Sequence, residues 1–247
     1  APKLLPHSAG YTMQVLPVSQ SGAIAGGRGI LQLEWRLDCD GVSYSQQSFL
    51  TLRNTEGGTV DSAIRIDSWE AADASSYRFL LESGIDGEMT EDVNGLAKRD
   101  GSGGITVRYT KPEEKVRKLP ASTLFPWQQM RHTFALANSG VQQDWHSILR
   151  GEATGDPARV SMHILGNAGP PDDTEELGDQ GDLLPPLGWQ ISSAFFEDEV
   201  DSQPSFEILE TMLASGVITK AEITYPDMIL RLRLQRLVRV PLPDCTK

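Results

Sequence analysis

The chain has 247 residues, long enough for one large β domain or two small ones, and its 39% hydrophobic and 23% charged content is that of a globular protein with a real core. A formal net charge of −12 argues against nucleic acid or an anionic membrane surface as the main partner, because both demand a basic footprint. No apolar run approaches the roughly 20 residues that span a bilayer, so the chain is not membrane-spanning by helices.

His7 to Val18 reads as a first strand with Tyr11, Met13 and Val15 on one side, and the Gly- and Ser-rich stretch 19–29 reads as a loop or strand lead-in. In Leu31–Leu52, Leu31, Leu33, Trp35 and Leu37 alternate with polar residues, Asp40-Gly41 marks a turn, and Val42, Tyr44, Gln46 and Ser48 begin a returning strand. Gly41 is expected there because glycine accepts positive φ. Further strands are read at 60–69, 76–81 and 105–109, with hairpin signals at Asn94-Gly95 and Asp100-Gly101. In Pro126–Gly140, Trp127, Met130, Phe134 and Ala137 recur at helical spacing, Pro126 suits the first turn, and Gly140 suits the C-terminal cap. Strands resume at 144–151 and 158–165. Gly166–Pro186, with its prolines and carboxylates and no apolar period, reads as an acidic, mobile surface loop. Strands at 189–197, 205–213, 217–224 and 227–240 complete an all-β pattern of short strands and Gly turns around one helix, and no repeat period is evident.

Chemistry leaves few traces. The histidines at 7, 132, 146 and 163 form no HxxxH, HxH or HExxH spacing, and neither cysteine lies near one. No GxSxG elbow or GxxxxGK[ST] loop occurs, so no catalytic, metal or cofactor residues are assigned and no cofactor is expected. The acidic loop does not follow the ligand order of an EF-hand. The five tryptophans are spread along the chain and read as core. Cys39 and Cys245 are the only cysteines. From the residues alone, two readings stand. A bond would close a loop of about 205 residues, worth ~5 kcal/mol on the chain-entropy model. Two buried free thiols are the alternative. Neither sits in a CxxC, which makes redox catalysis the weakest reading.

Four blocks in order carry a resemblance: His7–Tyr11; Leu33-Glu34-Trp35 through Cys39-Asp40-Gly41 to Gln46; Leu124-Phe125-Pro126 with His132 and the helix to Gly140; and Gly216 through Tyr225-Pro226-Asp227 to the leucine-rich strand and Cys245. In these the sequence resembles the alphaproteobacterial periplasmic cell envelope integrity proteins (the EipB-like family, formerly a domain of unknown function). The resemblance implies a long antiparallel β-spiral, an overlapped barrel-like curled sheet in a single domain, with a helix against it. It also implies periplasmic location with the export signal already removed (the chain opens on Ala1 without an initiator Met), a disulfide joining Cys39 and Cys245, and a role in envelope maintenance under stress. A periplasmic tetratricopeptide-repeat partner is implied as well. The acidic loop looks longer than the family norm, and Pro226 alters a usual turn.

The reading that results is a non-catalytic, monomeric periplasmic scaffold or interaction protein. Cys39 and Cys245 act as its clasp, Trp35 lies in the core beside them, and Asp40 and Gly41 form the turn. The alternatives are a carrier holding a lipid, lipoprotein or other hydrophobic ligand in the concave face, and a hydrolase whose acid and base, or Ser/His pair, come from separate strands.

Overall fold

The computed structural model describes residues 3–19, 22–151, 157–170, 177–178, 180–197 and 202–245. Fifteen strands form one sheet: β1 (His7–Pro17), β2 (Ile24–Leu37), β3 (Gly41–Asn54), β4 (Thr59–Ala71), β5 (Ser76–Ile85), β6 (Glu88–Arg99), β7 (Ile105–Lys111), β8 (Lys115–Leu119), β9 (Thr123–Leu124), β10 (Gln143–Ile148), β11 (Ala158–Ala168), β12 (Gly188–Phe196), β13 (Phe206–Leu213), β14 (Ile218–Thr224) and β15 (Met228–Arg239). Helix α1 (Pro126–Ser139) lies between β9 and β10. The order across the sheet is β8 to β1, then β15 to β9, so the first and last strands sit side by side in the middle. Every neighbouring pair is antiparallel except β9 and β10, which the helix joins in parallel. The two edges, β8 and β9, are adjacent in sequence and separated only by Pro120–Ser122, which gives the sheet its nearly closed, barrel-like form.

The alternation in the sequence sets the inside of the curl. Cross-strand partners share a face, and Ala9, Leu33, Gln46, Ile66 and Leu81 form one inward row through β1–β5. Apolar side chains fill the interior in clusters. One gathers Tyr77, Phe79, Val93, Val107 and Phe125. A second gathers Leu5, Tyr11, Met13, Leu183, Leu232 and Leu234. A third packs Phe134 and Ala137 of α1 against Met162, Trp189 and Met212. The helix therefore packs on the inner face of β11–β13. Among the described residues, no helix is long and apolar enough to cross a membrane.

Several expectations need correction. Residues 24–29 are strand, not loop, because Gly27 and Gly29 pair with Leu52 and Leu50 and sit where a Cβ would meet the β3 backbone. Asn94-Gly95 is no hairpin; it lies within β6, and a Cβ at Gly95 would overlap the Phe79 ring, so the glycine makes room for an aromatic. Gly41 begins β3 without positive φ, and the reason for glycine is again space, here against the Trp69 ring and the Glu70 carbonyl. The segment expected as an acidic loop is partly anchored. Residues 166–168 extend β11, and Gly181–Leu183 is a 3-10 turn whose Leu183 is buried in the core; Ser215 Oγ donates to its carbonyl at 2.7 Å. Residues 171–176 and 179 lie outside the described residues.

Arg99 spans the seam between the sheet's edges. Arg99, at the end of β6, donates to the carbonyls of Gly103 (3.1 Å), Ala121 (2.7 Å) and Thr123 (3.1 Å) and to Gln128 Oε1 (3.1 Å), with its guanidinium over the Phe125 ring. Bonds from a charged donor are worth more than neutral ones, and the carbonyls lose their partner if it goes. Arg99→Met is expected to lower unfolding free energy by about 2–3 kcal/mol in urea titration. An unchanged midpoint would show that the seam does not depend on it.

Candidate functional site

The Cys39–Cys245 disulfide is formed, with Cα atoms 5.5 Å apart across a sequence separation of 206. Both cysteines are exposed. The bond ties the chain's end to the β2–β3 turn, where Asp38 N–H donates to the Gly41 carbonyl and the Asp40 carbonyl accepts Ala72 N–H, each at 2.8 Å. Behind the turn Trp35 is buried, as expected, and its indole N–H donates to His7 Nδ1 at 3.0 Å. The Leu5 carbonyl lies 2.8 Å from the same nitrogen and can only accept, so the two contacts ask for opposite protonation of Nδ1 and the ring tautomer decides which of them is a hydrogen bond. Burial pushes the His7 pKa down against the raising effect of that carbonyl, which keeps the ring neutral. Trp127, from the first turn of α1, packs on Trp35 with ring centroids 5.0 Å apart. Leu242 and Pro243, just before Cys245, close over Trp127, Arg131 and Val42 around a cavity of about 440 Å³. The residues expected as clasp, core and turn are thus brought together, and His7 and Trp127 join them.

Helix α1 begins without a capping side chain of its own; the residue before it is Phe125. Its free backbone donors are met from β4, where Glu70 accepts Trp127 N–H at 2.7 Å and Gln128 N–H at 3.1 Å. Helix N-termini favour negative charge, yet burial dominates here and pushes the Glu70 carboxyl up to about 7, against the lowering effect of the two backbone donors, Arg131 and Arg99. On β13, Glu210 points to the inside of the curl, sharing its face with buried Ile191 and with Ala221, and burial pushes it up to about 7 as well. Nothing in the sequence marks either carboxylate.

A second cluster also escapes the sequence. Asp144 and His146, two apart on β10, point the same way, and His132 reaches them from α1. Asp144 Oδ2 lies 2.8 Å from His132 Nε2 and 2.9 Å from His146 Nδ1. Burial pushes Asp144 up, but the two imidazoles together outweigh it and hold the carboxyl below its usual range. Burial pushes His146 down, more than Asp144 raises it. The fourth histidine, His163, lies 3.3 Å from Ser161 Oγ on β11.

On the outer face, Ile30, Phe49, Ala63, Gly84 and Met89 are successive partners across β2 to β6. Ile30, Phe49 and Met89 are 61%, 56% and 64% exposed, well beyond what a solvated strand face needs. Phe49, Ala63, Gly84 and Met89 floor an open groove of about 700 Å³ edged by Asp61, Arg65, Glu82 and Glu88.

A nearly closed, mostly antiparallel sheet with a helix packed on it and a disulfide from the β2–β3 turn to the end of the chain defines a barrel-like β protein. A crystal structure of a beta-barrel-like protein of a domain of unknown function from Brucella abortus shares this fold, with a TM-score of 0.88 at 22% identity, over 98% of this chain and all of that one. The model of the EipB-like family matches residues 1–241, and the chain belongs to that family. The cell envelope integrity protein EipB of Brucella abortus (strain 2308) is 25% identical over 244 residues, covering 96% of this chain and 85% of that protein.

Cys39→Ser releases a constraint worth up to about 5 kcal/mol on the chain-entropy model. The variant is expected to melt several degrees lower in calorimetry with the far-ultraviolet dichroism retained; an equal Tm under oxidising conditions would refute the clasp. The two raised carboxyls set a pH dependence. Between about 4.5 and 7 these two groups hold protons in the folded chain that the unfolded chain has released, so their contribution to stability falls as pH rises, opposed by the lowered His7 and His146, whose contribution rises toward pH 6.5. The benefit is fully present below 4.5 and lost through about 7, on the order of 3 kcal/mol for each group. Glu70→Gln is expected to raise Tm at pH 8 relative to pH 4.5 compared with wild type, and a profile parallel to wild type would rule out its burial as a cause.

Proposed function

We propose that the protein maintains cell envelope integrity as a non-catalytic periplasmic scaffold that binds a partner protein through its outer groove. The observation that carries this reading is the exposed apolar row Ile30–Phe49–Ala63–Gly84–Met89, which runs outward across five strands while the buried clusters, α1 among them, gather on the inside of the curl. Patches of this kind mark interaction surfaces. The disulfide supports an oxidising compartment, and the envelope role follows the relative's name.

Charge selects the partner. Asp61, Glu82 and Glu88 against Arg65 leave the groove's rim acidic on a chain of net charge −12. The complementary surface is a protein segment offering one or two apolar side chains flanked by Lys or Arg; a tetratricopeptide-repeat protein carrying such a surface fits. The carrier reading has less support, because the groove is open and α1 with the core clusters occupies the concave face. For hydrolysis, Ser161 and His163 are adjacent, but Ser161 is buried and lines neither cavity described above.

The test is complementation. In a strain deleted for its own copy, the wild-type chain is expected to restore survival on detergent and cell-wall-active antibiotics. Phe49→Glu and Met89→Glu should fail to do so, with Tm within about 1 °C of wild type because both positions are exposed. Full complementation by both variants would refute the groove. A lipid retained in native mass spectra of the wild type would move the assignment to a carrier.

A further inference from the structure

We propose that His132, Asp144 and His146 form a binding site for a borderline divalent transition-metal ion, zinc(II) foremost, at the junction of α1 and β10. Their ligating atoms all lie within 4.8 Å of one another. His132 Nε2 and His146 Nδ1 converge on a single point, now Asp144 Oδ2, at 2.8 and 2.9 Å. Convergence of two imidazole nitrogens and a carboxylate oxygen is what a zinc ion requires of its ligands, and ligand atoms around tetrahedral zinc stand about 3.3 Å apart, so the two contacts to Asp144 open by about half an ångström while the imidazole nitrogens, within 4.8 Å of one another, settle to the same spacing.

The donor set points to the class of ion. Two imidazoles and one carboxylate suit zinc, iron(II), cobalt or nickel and disfavour calcium and magnesium, which take all-oxygen shells. Three protein ligands leave a fourth position for water.

Two further features fit a built site. Gln129, one turn before His132 on α1, places its amide 3.1 Å from His146 Nε2. In the metal-free chain that amide donates to Nε2, which leaves the proton on Nδ1 for Asp144. With metal on Nδ1, the proton moves to Nε2 and a turn of the amide offers its oxygen as acceptor. Ligating histidines generally need such a partner for the second ring nitrogen. The ligands also come from rigid elements: β10 pairs with β11 through Asp144 and His146, and α1 is fixed at its start by Glu70 and at its end by Gly140 in the left-handed conformation. His132 keeps a 37% exposed side chain, an entry path, while His146 is 6% exposed beneath it.

The same three groups already tie the helix to the sheet by hydrogen bonds, so loss of stability on mutation does not separate the two roles; metal binding does. The full, disulfide-bonded chain, alkylated to block any free thiol and stripped with chelator, is titrated with zinc chloride by calorimetry. Native mass spectrometry reads the stoichiometry, and cobalt(II) substitution tests for the visible band of tetrahedral coordination. One ion per chain is expected. His132→Ala and Asp144→Asn should each weaken binding at least about tenfold, while His163→Ala, outside the cluster, leaves it unchanged. Asp144→Asn is isosteric and keeps the test open if His132→Ala does not fold. Absence of zinc binding by the wild type, or equal affinity in wild type, His132→Ala and Asp144→Asn, overturns the proposal.

Discussion

The pairing of β1 with β15 is the constraint on which the rest of the structure depends. From His7 opposite Arg239 to Pro17 opposite Met228, the two ends of the chain lie side by side. Every other antiparallel pair in the sheet joins strands that follow one another in sequence. Without this ladder the sheet would be two meanders, β1 to β8 and β10 to β15, each with a long open edge, which is a template for aggregation. The pairing spans almost the whole chain, so its loop-closure entropy must be overcome before the contacts reward it, and it belongs among the late and slow events of folding. The protections concentrated there fit that need. Val240 N–H donates to the Pro6 carbonyl, His7 and Trp35 bond behind the ladder's end, and the disulfide fastens Cys245 beyond it.

The opposite side of the molecule has the converse problem. There β8 and β9 are neighbours in sequence but not in hydrogen bonding, so the sheet's edges must be closed by something other than a ladder. Arg99 supplies donors to the carbonyls of the connecting segment, and Glu70 supplies acceptors to the first turn of α1. One side chain satisfies orphan carbonyls and the other orphan amides, so the charges are matched to what the backbone lacks. The acidity of Glu70 is the cost of doing this inside the protein. Its carboxyl is desolvated more than its donors compensate, so a group chosen for its negative charge holds that charge weakly near neutral pH.

Most of the fold was legible because it rests on local rules. Period-two alternation at 31–37 and 42–48, and the helical period from Trp127 to Ala137 between Pro126 and Gly140, are written in consecutive residues and reappear as β2, β3 and α1. The misreadings have a common cause. Gly41 does close the β2–β3 turn, but without the positive φ expected of it, and Gly95 lies inside a strand; each makes room for an aromatic ring from a neighbouring strand, Trp69 or Phe79, and that demand is tertiary. Leu183 sits in an acidic, proline-rich stretch whose composition says loop, yet a single buried leucine is enough to anchor it. The His132–Asp144–His146 cluster was illegible for the same reason. Its members are separated by a helix end and a turn, and only the packing of α1 over β10 sets them together; the motifs that scanning finds put both histidines on one element. The disulfide pairing came from family resemblance, since two cysteines far apart in the sequence are equally compatible with burial as free thiols.

The position of α1 connects the fold to the choice of function. A curled sheet of this size, left empty, encloses a cavity suited to a hydrophobic ligand. Here Phe134 and Ala137 pack on Met162 and Trp189, Trp127 covers Trp35, and Leu183 and Leu5 close the second cluster, so much of the inward surface is covered by the chain's own side chains. Large apolar groups left over are then found outside, and Ile30, Phe49 and Met89 are placed there by strict alternation from inward partners such as Leu31 and Leu50. A strand cannot move a side chain from one face to the other without slipping by a residue, and a slip in β2 or β3 would turn Trp35 away from His7 and bring Phe49 into the core. The exposed row is therefore held in place by the same register that holds the clasp. The exposed outer groove and the closure at the termini are two consequences of a single pairing.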